Sequence, residues 1–476
     1  MTVLAIDQGT SGTKAIVVDP DAAVAGLAEV PVHPRYLSGG GVEQDPLELL
    51  DSVLTAGRAA VAQAARPIDA VSLANQGETV LAWDLESGRP LTQAIVWQDR
   101  RAEALCADLD QYRELLATRT GLVLDPYFSA PKMAWLRRNV EPGGVVTTSD
   151  VWLLNRLTGE FVTDATTASR SLVVELGERD WSAELLRLFG LADEHLPGIV
   201  GNDQIIGSTT VFGGDVPVGG IVVDQQAALL AEACLQPGMA KCTFGTGAFL
   251  LANTGTESGP STSGLTTSVA WRVGDVDTYC VDGQVYTAAS AVRWLSSLGI
   301  ISGAEEMDAV AAADNDGVLC VPALAGLAAP WWQSRATATI SGLTLASGRG
   351  QVVLAVLQGI AAQIAELASA IGGDTHAPLS RLRADGGLTN STVLMQATAD
   401  ILQVPVDVYP SAHATALGAA ALARLSLHPT RALGDVIGPW TPASTFEPRW
   451  SAARADEFRC AWRKLAESTY PDPVSS

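Results

Sequence analysis

With 476 residues the chain exceeds what one hydrophobic core usually serves, so two domains of about 200 to 250 residues with a cleft between them are expected. Hydrophobic residues make up 47% of the chain and charged ones 17%, as in a globular α/β protein, and the tail 471–476 is the one stretch expected to lack order. The balance of 30 basic against 52 acidic residues, a net charge of −22, argues against nucleic-acid or anionic-membrane partners, so an anionic ligand must be held by local backbone dipoles.

In chain order, residues 3–6 form a short apolar run that reaches a carboxylate at Asp7, without the basic flank and long apolar core of a secretion signal. Residues 14–19 resume β-favouring types after Gln8-Gly9-Thr10-Ser11-Gly12-Thr13, which reads as strand, glycine turn, strand. A helix is expected over 47–64 and a strand over 70–73. The same hairpin grammar returns at 239–252 around Gly245-Thr246-Gly247, which suggests one domain type used twice. The division is placed just before that repeat, giving domains 1–227 and 228–476. A Gly/Ser/Thr loop at 255–264, a strand at 317–322 and helices at 350–371 and 391–403 complete an α/β pattern. Apolar runs such as 352–360 are too short for a membrane span. The six cysteines lie far apart with no CxxC pair, so reduced, buried thiols and a cytoplasmic location are expected.

The first hairpin suits phosphate chemistry: Gly9 and Gly12 let backbone N–H groups approach phosphate oxygens, Thr10, Ser11 and Thr13 add hydroxyl donors, and Asp7 can hold a hydrated Mg²⁺. The bland alternative is a tight turn whose aspartate and threonines satisfy their own backbone. A second glycine hairpin weakens that alternative, because two facing turns can straddle a polyphosphate. Asp385-Gly386-Gly387, just before the helix expected from Ser391, puts glycine amides beside a helix start, where a nucleotide can lie against the backbone.

Ordered motifs along nearly the whole chain make the sequence similar to the FGGY family of carbohydrate kinases, and within it most like the glycerol kinases. Residues 127–139, with Lys132, Trp135 and Asn139, fit the family's first signature, and 338–343 followed by 351–358 fit its second. Further matches are Val42-Glu43-Gln44-Asp45-Pro46, Trp97-Gln98-Asp99-Arg100-Arg101, Asp224-Gln225-Gln226 and Thr415-Ala416-Leu417-Gly418. The resemblance implies an α/β fold of two ribonuclease-H-like (actin/Hsp70/sugar kinase) domains with an interdomain catalytic cleft. It also implies ATP-dependent phosphorylation of a small polyol or sugar, with ATP and Mg²⁺ as cofactors. Oligomeric state is left open, a homo-oligomer included.

Carried over residue by residue, the resemblance makes Asp224 the catalytic base and Gln76, Glu78, Trp97, Tyr127, Asp224, Gln225 and Phe249 the acceptor pocket. Gly9, Thr10, Ser11, Lys14, Gly245, Thr246, Arg293, Gly387 and Ser391 fall where the family binds nucleotide, and Asp7 where it holds the metal. Lys14 stands where arginine is frequent, and Ala289 and Arg293 replace the usual glycine and glutamine. Glycerol kinases typically carry arginine in the sugar loop, whereas this chain reads Asn75-Gln76-Gly77-Glu78, and Val223 precedes Asp224 where glycine is usual. Gly77 removes a charged donor and leaves space, so an acceptor larger than glycerol, a tetritol or a pentulose, is the alternative expectation. From another class, a non-catalytic nucleotide switch of the actin and Hsp70 type shares the hairpins but needs no acceptor pocket.

Overall fold

The computed structural model describes residues 1–140 and 143–470, so the tail whose order was in question lies outside the described residues. The first sheet has six strands in the order Ile205–Thr209, Val216–Val223, Ala70–Asn75, Val3–Gln8, Gly12–Val18 and Val24–Pro31. Its three central strands are parallel and leave Gln8, Asn75 and Val223 side by side at one edge. Alternation along the strands divides the apolar residues between two faces. Leu4, Ile6, Ala15 and Val17 pack on the helix Pro46–Ala64, which Asp45 caps and Pro46 starts.

The opposite face of that sheet, Val3, Ala5, Ile16 and Val18, is covered by Ala416, Ala420 and Ala423 of the helix Ala414–Leu427. This helix falls within 228–476, so the second segment of the chain reaches back onto the first sheet. Small residues permit the approach. A β-carbon on Gly418 would lie 1.9 Å from the carbonyl oxygen of Ala227 in the helix Asp224–Ala231, so the two helices cross in backbone contact there.

The second sheet has seven strands in the order Thr266–Val273, Val276–Val285, Ala248–Gly255, Ala240–Phe244, Leu382–Asp385, Val406–Val408 and Ser444–Phe446. Its hairpin repeats that of the first sheet, and its strand Ala240–Phe244 runs parallel to Leu382–Asp385. The apolar run read as too short for a membrane span belongs to the 27-residue helix Arg349–Thr375, which is long and apolar enough to cross one. However, 83% of its most apolar window is buried inside the protein, as the core helix of this half. Most of the second signature belongs to this helix, so it specifies packing rather than the site.

A smaller five-stranded sheet, built from Arg35–Tyr36, Val42–Gln44, Ala94–Ile95, Val80–Trp83 and Val145–Thr148, stands beside the first and carries Trp97 on the loop after residue 95. Five of the six cysteines are buried thiols; Cys460 is exposed, since it lies on the solvent side of the helix Ala452–Glu467.

Candidate active site

Parallel strands deliver their chemistry at their carboxyl ends. In the first sheet those ends place Asp7, the segment 76–78 and Asp224 along one edge, and in the second they place Gly245 to Gly247 and Gly386-Gly387 opposite. Between them lies a cleft of about 240 Å³ lined from the first half by Thr10, Ser11, Gln76, Gly77, Glu78, Trp97 and Tyr127, with Asp224 and Gln225 at its base. Gly245, Thr246, Phe249 and Arg293 line it from the second half.

The aromatic wall is assembled from both halves. Trp97 meets Tyr127 edge-on at 5.6 Å between ring centroids and Phe249 at 5.9 Å. Indole Nε1 of Trp97 donates to Thr10 Oγ1 at 2.9 Å, and that hydroxyl donates to Gln76 Oε1 at 3.1 Å. Gln76 Nε2 in turn donates to Gln44 Oε1 at 2.8 Å, so the first phosphate-type turn and the acceptor wall share one amide network. The first signature explains how Tyr127 is fixed. Lys132, fully buried in the helix Ser129–Asn139, donates from Nζ to the carbonyls of Pro126, Tyr127 and Phe128 at 2.8, 2.5 and 2.6 Å.

Of four carboxylates raised by desolvation, Asp224 and Glu78 line the cleft, whereas Asp7 and Asp385 stand outside its lining. Asp224 is pushed up to about 6 by desolvation and then by the charge of Glu78, while Lys241 pulls it down. Its Oδ1 accepts the backbone N–H of Gln225 at 2.7 Å. Lys241, itself buried, donates to Gln225 Oε1 and to Thr243 Oγ1, both at 2.7 Å. Asp7 rises to about 7 through burial and the repulsion of Asp224. Asp385 rises for the same first reason. Glu78 is raised by desolvation, against the pull of Arg170.

Several sequence candidates stand outside the cleft lining. Lys14, paired across the first hairpin with Asp7, reaches the carbonyl of Ala412 at 3.5 Å on an exposed edge. Gly9 closes the first turn by donating its N–H to Gly12 at 3.0 Å. Gly387 faces open space; its neighbour Gly386 has φ +95°, and a β-carbon there would also lie 2.5 Å from the Phe244 carbonyl, so both conformation and close approach call for glycine. Ser391 is corrected in its availability: it is buried, hydrogen-bonded to Asp308, and its Oγ accepts the N–H of Leu394 at 3.0 Å as the cap of the helix Thr392–Leu402. Its hydroxyl is therefore already committed to the fold.

Two features escaped the sequence. Gly77 lines the cleft beside Val223, whose Cγ1 and Cγ2 lie 3.4 and 3.7 Å from the position of a β-carbon there, an ordinary van der Waals contact. Arg170, which follows the short helix Ala165–Ser169, lies beneath Glu78 and Tyr127 with no charge pattern around it in the sequence to mark it.

Family models describe both halves of the chain: residues 2–231 match the N-terminal domain of the FGGY family of carbohydrate kinases, and 240–427 match its C-terminal domain. A glycerol kinase of Bordetella parapertussis is 41% identical over 98% of this chain and 96% of its own length. One of Gloeobacter violaceus is 44% identical over 89% and 88%. Among solved structures, Plasmodium falciparum glycerol kinase with ADP superposes with a TM-score of 0.91 at 30% identity over 99% of each chain. A xylulose kinase from Rhodospirillum rubrum shares the fold, with a TM-score of 0.86 at 24% identity over 98% of this chain and 99% of its own.

Proposed function

Because the chain belongs to the FGGY family of carbohydrate kinases, we propose that its cleft carries out ATP-dependent phosphorylation of a polyol hydroxyl with Asp224 as general base and a glycerol-like triol as acceptor. The observation that carries this reading is the position of Asp224: a half-buried carboxylate, pushed up to about 6 by desolvation, that lines one cleft together with Trp97, Tyr127, Phe249 and residues of both glycine hairpins. An ionised Asp224 takes the proton as the acceptor oxygen attacks the γ-phosphorus in line, and ADP leaves with the electrons of the broken P–O bond. Glu78, Gln76 and Gln225 offer hydrogen-bond partners to acceptor hydroxyls, while Trp97, Tyr127 and Phe249 cover its C–H faces.

On the nucleotide side, Thr10, Ser11, Gly245 and Thr246 are offered to the phosphates, with Gly9, Lys14, Arg293 and Gly387 around them. Asp7 fits a hydrated Mg²⁺, since desolvation and the charge of Asp224 push this half-buried carboxylate up to about 7, and a cation relieves that repulsion. When bound, the metal screens the phosphate charge. Domains 1–227 and 228–476 then work as the two jaws of the cleft, and a cytoplasmic location suits an ATP-consuming reaction. The acceptor assignment rests on the curated relatives, which are glycerol kinases.

ADP release measured across glycerol, erythritol, xylulose and ribulose tests the reading. Glycerol is expected to give the highest kcat/KM; a clear preference for a ketose overturns the acceptor, and no acceptor-dependent ADP release overturns the kinase reading.

A further inference from the structure

Glu78 has a positive backbone φ of +61° at the centre of a tight turn, closed by the Thr79 N–H donating to the Gly77 carbonyl at 2.8 Å, and its side chain is fixed by contacts of its own. Those contacts are traceable. The guanidinium of Arg170 donates from Nε to Glu78, from Nη1 to Asp282 Oδ1 at 2.9 Å and to Ser268 Oγ at 3.3 Å, and from Nη2 to Asp282 Oδ2 at 3.4 Å and to Tyr127 Oη at 3.4 Å. It also lies 5.7 Å from the Tyr127 ring centroid and 5.8 Å from that of Phe128. The Arg170 side chain is 5% exposed, that of Glu78 4% and that of Asp282 5%, so the triad is closed to solvent.

Its geography is unusual. Glu78 lines the cleft from the first half; Asp282 and Ser268 belong to the strands Val276–Val285 and Thr266–Val273 of the second sheet. Arg170 stands behind the cleft and does not line it. One planar fork therefore binds an acceptor-side carboxylate of one half and a carboxylate of the other, an arrangement that a point-charged ammonium cannot reproduce.

We propose that Arg170 is a positioning residue for the acceptor. It holds the Glu78 carboxylate in place, and through Asp282 it ties that placement to the second half of the protein. This rests on the functional reading above. Without Arg170, Glu78 keeps its burial and loses its cation; the other charged or titratable groups facing it are Lys132, Asp282, Tyr127 and Asp224.

The test is steady-state kinetics of the full chain with glycerol as acceptor probe, from acid to alkaline pH, for Arg170→Gln, Arg170→Lys and Asp282→Asn. For Arg170→Gln the glycerol KM should rise about thirtyfold or more while the ATP KM stays within about twofold. Because Arg170 lowers the Glu78 pKa, its loss should move the acid limb of kcat/KM for glycerol to higher pH, with partial recovery in alkaline buffer. Arg170→Lys should fall between parent and Arg170→Gln. An active parent whose Arg170→Gln variant keeps its glycerol KM within about threefold and its acid limb in place overturns the positioning role. So does an equal rise in the KM of both substrates, the mark of general damage. If Arg170→Gln does not fold, Asp282→Asn decides: a glycerol KM raised by about threefold to tenfold supports the role, and an unchanged one overturns it. A parent without glycerol-dependent ADP release instead overturns the functional reading, and the positioning role falls with it.

Discussion

The methyl carbon Cγ1 of Val223 lies 3.4 Å from where a β-carbon on Gly77 would sit, so the two departures from the glycerol-kinase pattern, 146 residues apart by subtraction, are neighbours in the fold. Gly77 lines the cleft, and the Val223 methyl groups stand beside it.

This relationship predicts coupling. Gly77→Arg alone should lower kcat/KM for glycerol, because a long side chain there enters the cleft beside the Val223 methyl groups and takes up acceptor space. Adding Val223→Gly should recover about tenfold over the single variant, a coupling within the range for residues in contact. Strictly additive effects in the double-mutant cycle would show that the two positions do not share the space.

Lys132 offers a stability test. Burial pushes its pKa down to about 8, yet its ammonium satisfies three backbone carbonyls that no water reaches. Lys132→Met should leave those carbonyls unpaired and destabilise folding by about 3 kcal/mol or more, with Tyr127 displaced and the KM for the acceptor raised. Denaturant unfolding measures the first effect. A loss below about 1 kcal/mol would mean that the carbonyls find other partners.

Asp7 has the opposite energetic sign. Its folded pKa near 7 lies above its ordinary value of 3.8, so its contribution to stability is fully present below the ordinary value and is lost as pH rises through about 7. Asp7→Asn should therefore raise the melting temperature of the ligand-free protein by about 2 °C or more at pH 8, and by less at pH 5. An equal gain at both pH values would assign the effect to packing rather than to the buried charge.

The first phosphate-type hairpin was legible in the sequence because it is local: carboxylate, glycines and hydroxyls lie within seven residues, and strand periodicity frames them. The α/β class followed from alternating periods in the same way. Asp224 is different, since nothing in its neighbourhood marks a base, and its reading came from the resemblance of Asp224-Gln225-Gln226. Arg170 and Asp282 were missed because their pairing with Glu78 joins three segments that only the tertiary fold brings together. Ser391 shows the other kind of ambiguity: a serine before a helix suits a ligand and a cap equally, and here its hydroxyl caps the helix and bonds to Asp308. The helix Ala414–Leu427 shows the same limit for domains, because a run of alanines does not reveal which sheet it covers.

The central claim is that Asp224 accepts the proton of the attacking hydroxyl. The most direct measurement is glycerol-dependent turnover of Asp224→Asn beside the parent across pH, with ATP affinity measured separately. The parent kcat should fall as pH drops through about 6, where Asp224 becomes protonated, and the variant should bind ATP nearly as the parent does while turning over at least about a hundredfold more slowly, with that acid limb gone. Turnover within about threefold of the parent, with the acid limb retained, would contradict the account.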